Sequence, residues 1–201
     1  MIPKTEIVYS WPYIYALNLN LSKEEILALY KKIRDFGEKR FKPLFNKYID
    51  AILDTIPKVT GYKWEKNYIP IYLMSMRGQS FSFSFPLTIK IREDRLLMLV
   101  ILIHELVHNN FYPRGKEKMA EPDFASRRLL EDMAVDLVTR EVVKKLEIKA
   151  YKQIKISSDF SSNHFLKGKN KKIKPLPINL TKETIKQSSL NKISLSDLTE
   201  K

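Results

Sequence analysis

The chain has 201 residues, 44% of them hydrophobic, and a formal net charge of +13. This length suits one domain of ordinary size with a hydrophobic core of its own. Because the chain contains no cysteine, disulfides and thiolate metal sites are excluded. Any metal ion would have to be held by His, Asp or Glu.

The N-terminal sequence MIPKTEIVYSWPY lacks the basic start, apolar core and small-residue cleavage site of a secretory signal. The longest apolar run, residues 96 to 103, is much shorter than the roughly 20 residues of a membrane-spanning helix. We therefore expect a soluble, cytoplasmic protein without a membrane partner.

A strand and a helix are predicted first in chain order. The stretch YIYALNLNL (13–21) alternates between apolar and polar residues, which is typical of a strand. Ser22 and Glu25 then form the capping-box signature of a helix N-terminus. We expect this helix to end at Gly37.

A second amphipathic helix is predicted to run to about Ile56, with Pro57 and Gly61 closing it. Its other face carries several lysines and arginines, which we interpret as a solvated surface. The apolar stripe that should face the core consists of Phe41, Phe45, Tyr48, Ile52 and Leu53.

Two strands, IPIYLMSM (69–76) and SFSFSF (80–85), are predicted to form a hairpin around the loop RGQ. In the second strand the phenylalanines would face the core and the serines would face outward, toward solvent or an extended substrate chain. A further short strand, LTIKI (87–91), precedes Asp94, the expected N-cap of the next helix. The phenylalanines are Phe81, Phe83 and Phe85, and the serines are Ser80, Ser82 and Ser84.

That next helix carries eight consecutive apolar residues, 96 to 103, followed by His104, Glu105 and His108. The two histidines are four residues apart, so both imidazoles project from one face of the helix, as joint binding of a tetrahedral ion requires. Glu105 lies about 100° round the helix from His104. This is the His-Glu-x-x-His motif, in which two imidazoles bind Zn²⁺ and the carboxylate takes a proton from the attacking water.

A catalytic zinc usually has three protein ligands, and a second helix is the expected source of the third. Residues from about Asp123 to Leu146 are predicted to form one long helix, after a stretch from Asn109 that is interpreted as helix end and loop. Within it, Glu131 is the first choice for the third ligand. It shares a small-residue stripe with Ala134, Val135, Val138 and Val142.

The combination of HELVH with a later helix containing EDMAVD resembles the gluzincin class of zinc metallopeptidases. The small compact members of that class and the ImmA/IrrE-like regulators are nearest in layout, and the resemblance covers about residues 69 to 146. It implies that His104 and His108 are metal ligands, that Glu105 is the general base and later the acid, and that an acid near position 131 is the third ligand.

The resemblance also leaves an alternative third ligand open. In many gluzincins the ligand glutamate is followed four residues later by an Asp or Asn that orients a ligand histidine. Glu131 is followed at that spacing by Val135, whereas Asp132 is followed by Asp136. Asp132 is therefore the alternative ligand, with Asp136 as its orienting partner.

The fold implied is α+β: a zincin-like domain over residues 1–150 with its core at 69–146. It would hold a short sheet, a buried helix with the motif and a glutamate helix. Residues 151–201 form a separate basic segment with eleven lysines and four acidic residues. This segment could bind nucleic acid, remain an inert extension, or lie across the cleft through its KPLPINL stretch and keep the enzyme latent.

The leading expectation is therefore a zinc-dependent peptidase that acts on a peptide or protein. The alternative is a regulatory or nucleic-acid-associated protein whose peptidase-like zinc domain cleaves or holds a bound partner. The residue that would stabilise the oxyanion stays open among several candidates. They are Tyr112, Arg114, Tyr151 and His164.

Overall fold

The computed structural model describes residues 1–75, 82–111 and 124–148, with the side chains of 124–133 excluded. This part of the chain has a mixed α+β fold with a four-stranded sheet, as the sequence predicts. Its elements are β1 (Lys4–Val8), α1 (Trp11–Ala16), α2 (Lys23–Phe36), a π-helical turn (Gly37–Phe41), α3 (Lys42–Thr60), β2 (Tyr68–Met74), β3 (Phe83–Ser84), β4 (Leu87–Lys90), α4 (Arg95–Phe111) and α5 (Phe124–Lys145).

The sheet has the strand order β1-β2-β4-β3. Strands β1, β2 and β4 are parallel, and β3 runs antiparallel to β4 at the end of the sheet. Ile71 of β2 lies opposite Ile7 of β1, and Leu73 of β2 lies opposite Ile89 of β4. Ile71, Leu73 and Ile89 are fully buried, as expected of a strand that is paired on both sides.

The predicted hairpin between residues 69–76 and 80–85 is wrong. Strand β4 lies between β2 and β3, so β2 pairs with two parallel strands and β3 makes its turn with β4. Two neighbouring apolar stretches with a glycine between them favoured the hairpin, but β2 is paired on both sides, with β1 and with β4, and lies inside the sheet. The RGQ loop itself, with Ser80 and Phe81, lies outside the described residues.

The predicted strand at residues 13–21 is also wrong, because α1 begins at Trp11. The Ser10 hydroxyl accepts a hydrogen bond from the Tyr13 backbone N–H, and Pro12 occupies the first turn, where proline is well tolerated. These local start signals outweigh the alternation in the sequence. The first strand is instead β1, at Lys4–Val8, which the pattern does not predict.

Helix α2 begins as predicted, with both hydrogen bonds of the capping box between Ser22 and Glu25. It ends at Phe36 with Gly37 as its C-cap, as predicted, but Gly37 has helical angles (φ −57°, ψ −54°) and leads through the π-helical turn into α3. Gly61 ends α3 with a φ of 77°, in the left-handed region that favours glycine. The two predicted helices therefore form one nearly continuous helical segment.

Pro57 lies inside the last turns of α3 and does not end the helix. Proline has no N–H, so the helical hydrogen bond to the carbonyl of Leu53 is missing. The indole N–H of Trp64 donates to that carbonyl at 2.8 Å, and Trp64 is buried. This contact replaces the lost hydrogen bond and also attaches the segment before β2 to α3.

Gly37 is required by the close approach of the Tyr9 ring. A Cβ atom built at position 37 would lie 2.5 Å from Cε1 and 2.8 Å from Cζ of Tyr9. Burial raises the pKa of the Tyr9 phenol, and the nearby Glu38 carboxylate adds to the shift. The ring is therefore held as a neutral group against the helical turn.

We expect Gly37→Ala to lower the free energy of unfolding by about 1 kcal/mol. Overpacking costs about 1–3 kcal/mol, while alanine gains only about 1 kcal/mol in helix propensity over glycine. Chemical denaturation checks this value. In a Tyr9→Ala background the space is open, so Gly37→Ala should there stabilise the protein; destabilisation in both backgrounds would contradict the assigned contact.

Helix α4 is positioned as the sequence predicts, and it packs on β3, β4, α3 and α5. The Asp94 carboxylate accepts hydrogen bonds from the backbone N–H groups of Leu96 and Leu97 and so caps the helix. The helix continues to Phe111, so Asn109 and Asn110 are buried residues of its last turn, in agreement with the helix end expected there; the loop expected after them lies outside the described residues. Among the described helices, none is long and apolar enough to cross a membrane.

Helix α5 confirms the predicted long helix to within a residue or so at each end. The stripe of small residues predicted to pack on α4 is buried, and α5 contacts both α4 and α3. This packing sets α5 beside the face of α4 that carries His104. The stripe consists of Ala134, Val135, Val138 and Val142.

Candidate metal centre

The imidazoles of His104 and His108 converge on one point beside α4. Their Nε2 atoms are 3.2 Å apart, and their rings meet edge to face with centroids 4.9 Å apart. Two nitrogens bound at about 2.0–2.1 Å to one tetrahedral zinc ion would be separated by about 3.3–3.4 Å. The spacing of the two nitrogens therefore fits joint ligation of zinc.

Asp136 of α5 orients the first of these histidines. Its Oδ1 lies 3.1 Å from Nδ1 of His104, so the carboxylate favours the tautomer that carries its proton on Nδ1. In that tautomer Nε2, on the side of His108, is the nitrogen left to bind a metal ion. A carboxylate on the second nitrogen is the usual outer partner of a metal-binding histidine. Asp136 is expected from the sequence to have this orienting role in the alternative in which Asp132 is the third ligand.

Glu105 lies on the side of α4 that faces β3. Its side chain is almost buried, with 8% exposure, and its Oε2 accepts a hydrogen bond of 2.6 Å from the Ser84 hydroxyl. A buried carboxylate needs such a partner to compensate for the loss of water. The predicted orientation of the strand is therefore wrong: Ser84 faces inward, whereas Phe83 and Phe85 are 37% and 40% exposed.

The apolar run before the motif anchors α4 in the core. Met98, Leu99, Leu102 and Ile103 are fully buried. Since this segment packs among β4, α3 and α5, the histidines at its end are supported by a rigid element. Such support is what a metal site requires of the helix that carries its ligands.

Both candidates for the third ligand lie on α5. Within the part of the chain whose side chains are described, no three His, Asp or Glu side chains form a group that could hold a metal ion. Glu131 and Asp132 both lie on α5, but their side chains are outside that part. The oxyanion candidates Tyr112, Arg114, Tyr151 and His164 also lie outside the described residues.

The sequence patterns missed two residues that contact the site, Ser84 and Asn109. Asn109 directly follows the motif and donates hydrogen bonds to the backbone carbonyls of Ser84 and Glu105. Neither Ser84 nor Asn109 belongs to a sequence motif. Asn109 could have been found from its position four residues after Glu105, which puts both residues on the same face of α4.

Comparison of the chain with known protein families, with curated proteins and with solved structures finds no match in any of the three.

Proposed function

We propose that this protein is a zinc-dependent peptidase with a gluzincin-like arrangement of its catalytic residues. The single observation that carries the proposal is the convergence of the His104 and His108 Nε2 atoms at 3.2 Å, with the Glu105 carboxylate one residue along the same helix. A direct hydrogen bond between two structural histidines would give a similar Nε2 separation, but it would not require the acidic Glu105 beside them or the Asp136 carboxylate behind His104.

In this proposal His104, His108 and one acidic residue of α5 hold the ion. All three donors are hard or borderline ligands that suit zinc, and an ion held by three protein ligands would still be able to bind substrate or water. Zinc bound there would polarise the scissile carbonyl and lower the pKa of a water molecule toward about 7. Asp136 would keep the Nε2 lone pair of His104 available for the ion.

Glu105 performs the proton transfers of the reaction. It takes a proton from the attacking water as the new C–O bond forms at the scissile carbon. The same proton then passes to the amide nitrogen as the C–N bond breaks, so the amine leaves in neutral form. Near-complete burial of Glu105 favours this role, because few water molecules compete for its carboxylate.

The substrate chain would lie extended beside β3. In the described part of the chain β3 is one of the two terminal strands of the sheet, and it is the one against which α4 packs. An extended peptide can add to such an edge through backbone hydrogen bonds. Because Ser84 of β3 contacts Glu105, a peptide bound along this strand would lie near the catalytic carboxylate.

The contact between Asp136 and His104 now favours Asp132 over Glu131 as the third ligand. Asp132 precedes Asp136 by four residues and so lies on the same face of α5, one turn earlier. Glu131 precedes Val135 by four residues, and Val135 is fully buried in the core. This helical spacing to Asp136 is the reason we prefer Asp132 to Glu131 as the proposed third ligand.

The proposal is tested by reconstituting the purified protein with zinc. We expect about one zinc ion per chain and hydrolysis of an unstructured peptide, with both lost on chelation and restored by added zinc. Thr60→Ala serves as a control, since it removes a buried hydrogen bond to Asn110 on α4 without touching the imidazoles. Protein that binds no zinc after reconstitution would overturn the proposal.

Asp136→Ala is expected to weaken zinc binding about 10- to 100-fold, the usual cost of losing a carboxylate behind a metal-binding histidine. The physical reason is that Nδ1 of His104 loses its acceptor, so the ring can rotate and change tautomer. Competition with a fluorescent zinc chelator measures the change. Glu141→Ala, which removes an exposed partner of Lys145 on the same helix, is the matched control and should bind zinc like the wild type.

A further inference from the structure

We infer that Ser84 is a positioning residue for Glu105, and that it acts through a hydrogen bond from strand β3 to the carboxylate on α4. The inference rests on the proposed function, in which Glu105 is the general base. Nothing in the His-Glu-x-x-His motif requires a serine at this place, so the assignment comes from the contacts of this chain.

The Ser84 hydroxyl donates to Oε2 of Glu105 at 2.6 Å. This length is typical of a charge-assisted O–H···O⁻ hydrogen bond, which is roughly twice as strong as a neutral one. Among the described residues, Ser84 is the one hydrogen-bond donor to this carboxylate. One carboxylate oxygen is thus held by β3, while Oε1 remains for the proton of the attacking water.

Ser84 is itself held in place by Asn109. The side-chain amide of Asn109 donates to the carbonyl of Ser84 at 2.9 Å and to the carbonyl of Glu105 at 3.0 Å. Its Oδ1 accepts from Nζ of Lys66 at 3.0 Å, and the residue is 4% exposed. Ser84 therefore contacts α4 at two points, through its backbone with Asn109 and through its hydroxyl with Glu105.

These two contacts fix the position of the hydroxyl relative to the catalytic helix. Glu105 and Asn109 are one turn apart on α4. Ser84 is therefore bonded to two successive turns of the helix, which restricts rotation of β3 about either contact. A glutamate side chain has three rotatable bonds, and a carboxylate that moves by about 1 Å can cost about 100-fold in rate. The contact with Ser84 restricts this motion before substrate binds.

Ser84→Ala is expected to lower kcat about 10- to 100-fold, with KM and zinc content unchanged. Ser84→Thr keeps a hydroxyl in a strand position that tolerates a branched side chain, and it should restore most of kcat. Ser22→Ala removes a hydroxyl of similar local importance at the start of α2, far along the chain from the motif, and should leave kcat unchanged.

A second readout does not depend on activity. In protein labelled with ¹³C at the glutamate carboxyl carbons, the Glu105 resonance is identified by its loss in Glu105→Gln. We expect this resonance to shift or broaden in Ser84→Ala, both with and without zinc, and to return toward the wild-type position in Ser84→Thr.

The outcomes separate this inference from the proposed function. An active wild type whose Ser84→Ala variant keeps the wild-type kcat would overturn the role of Ser84 and leave the peptidase assignment standing. A folded, zinc-loaded wild type that cleaves no peptide would overturn the proposed function, and the role of Ser84 with it. A fall in kcat that Ser84→Thr does not restore would also contradict positioning by the hydroxyl.

Discussion

Glu105→Gln is expected to lower kcat for peptide hydrolysis by about 10²- to 10⁴-fold, the range that a general base usually contributes. The variant keeps the size and shape of the side chain but cannot accept the proton of the attacking water. Zinc content should stay at the wild-type value, because the proposed ligands are unchanged. Initial rates on an unstructured peptide, with the metal content of the same samples, check both expectations.

The fold should survive this change because the contact with Ser84 is kept. The glutamine carbonyl oxygen can still accept the hydrogen bond that Ser84 now donates to Oε2 of Glu105. Glu38→Gln is a matched control, since it makes the same chemical change at an exposed carboxylate whose partner is Lys42. A Glu105→Gln variant as active as Glu38→Gln would show that Glu105 is not the base.

Much of the candidate site could be predicted because helical spacing alone determines it. Residues four apart on a helix share a face, so the proximity of His104 to His108 follows once the apolar run predicts a helix. Asp132 and Asp136 are also four residues apart, so the sequence likewise predicts that they share a face of α5. The structure adds the contact between Asp136 and His104, which depends on how α5 packs against α4.

The errors arose where tertiary packing overrides local pattern. The alternation in SFSFSF correctly indicates two faces, but hydrophobicity alone assigned the phenylalanines to the core. The face toward α4 is instead occupied by Ser84, because Glu105 and Asn109 there require polar partners. The predicted hairpin was wrong for a similar reason. The parallel pairing of β2 with β4 joins strands that are not adjacent along the chain, and a short window of sequence does not reveal such a pairing.

The helical errors have a different cause. At α1 the signals of Ser10 and Pro12 act over three or four residues, and they compete with an alternation over nine residues that looked stronger. Gly37 does cap α2, but it also accommodates the Tyr9 ring, and the chain continues beyond it as helix. A glycine at a close approach and a glycine at a left-handed helix end, such as Gly61, look the same in a sequence.

The third ligand is tested by comparing two neighbouring acids on α5. Asp132→Ala is expected to weaken zinc binding by more than about 100-fold, beyond the usual cost of losing an outer partner of a ligand. Glu131→Ala should retain most of the affinity. His104→Ala provides the benchmark for a lost ligand, and competition with a fluorescent chelator measures all three variants.

The expected ranking follows from the register of α5. Val135 is fully buried in the core, and Glu131 lies one turn before it, whereas Asp132 lies one turn before the residue that contacts His104. An aspartate is shorter than a glutamate, so an Asp132 ligand would require α5 to lie close to α4, and the buried Ala134 permits close packing of the two helices. Asp132→Glu should therefore bind zinc less well than the wild type, because the longer side chain no longer fits the separation of the helices. Loss of zinc in Glu131→Ala with retention in Asp132→Ala would assign the ligand to Glu131 and leave Asp136 as a partner of His104 alone.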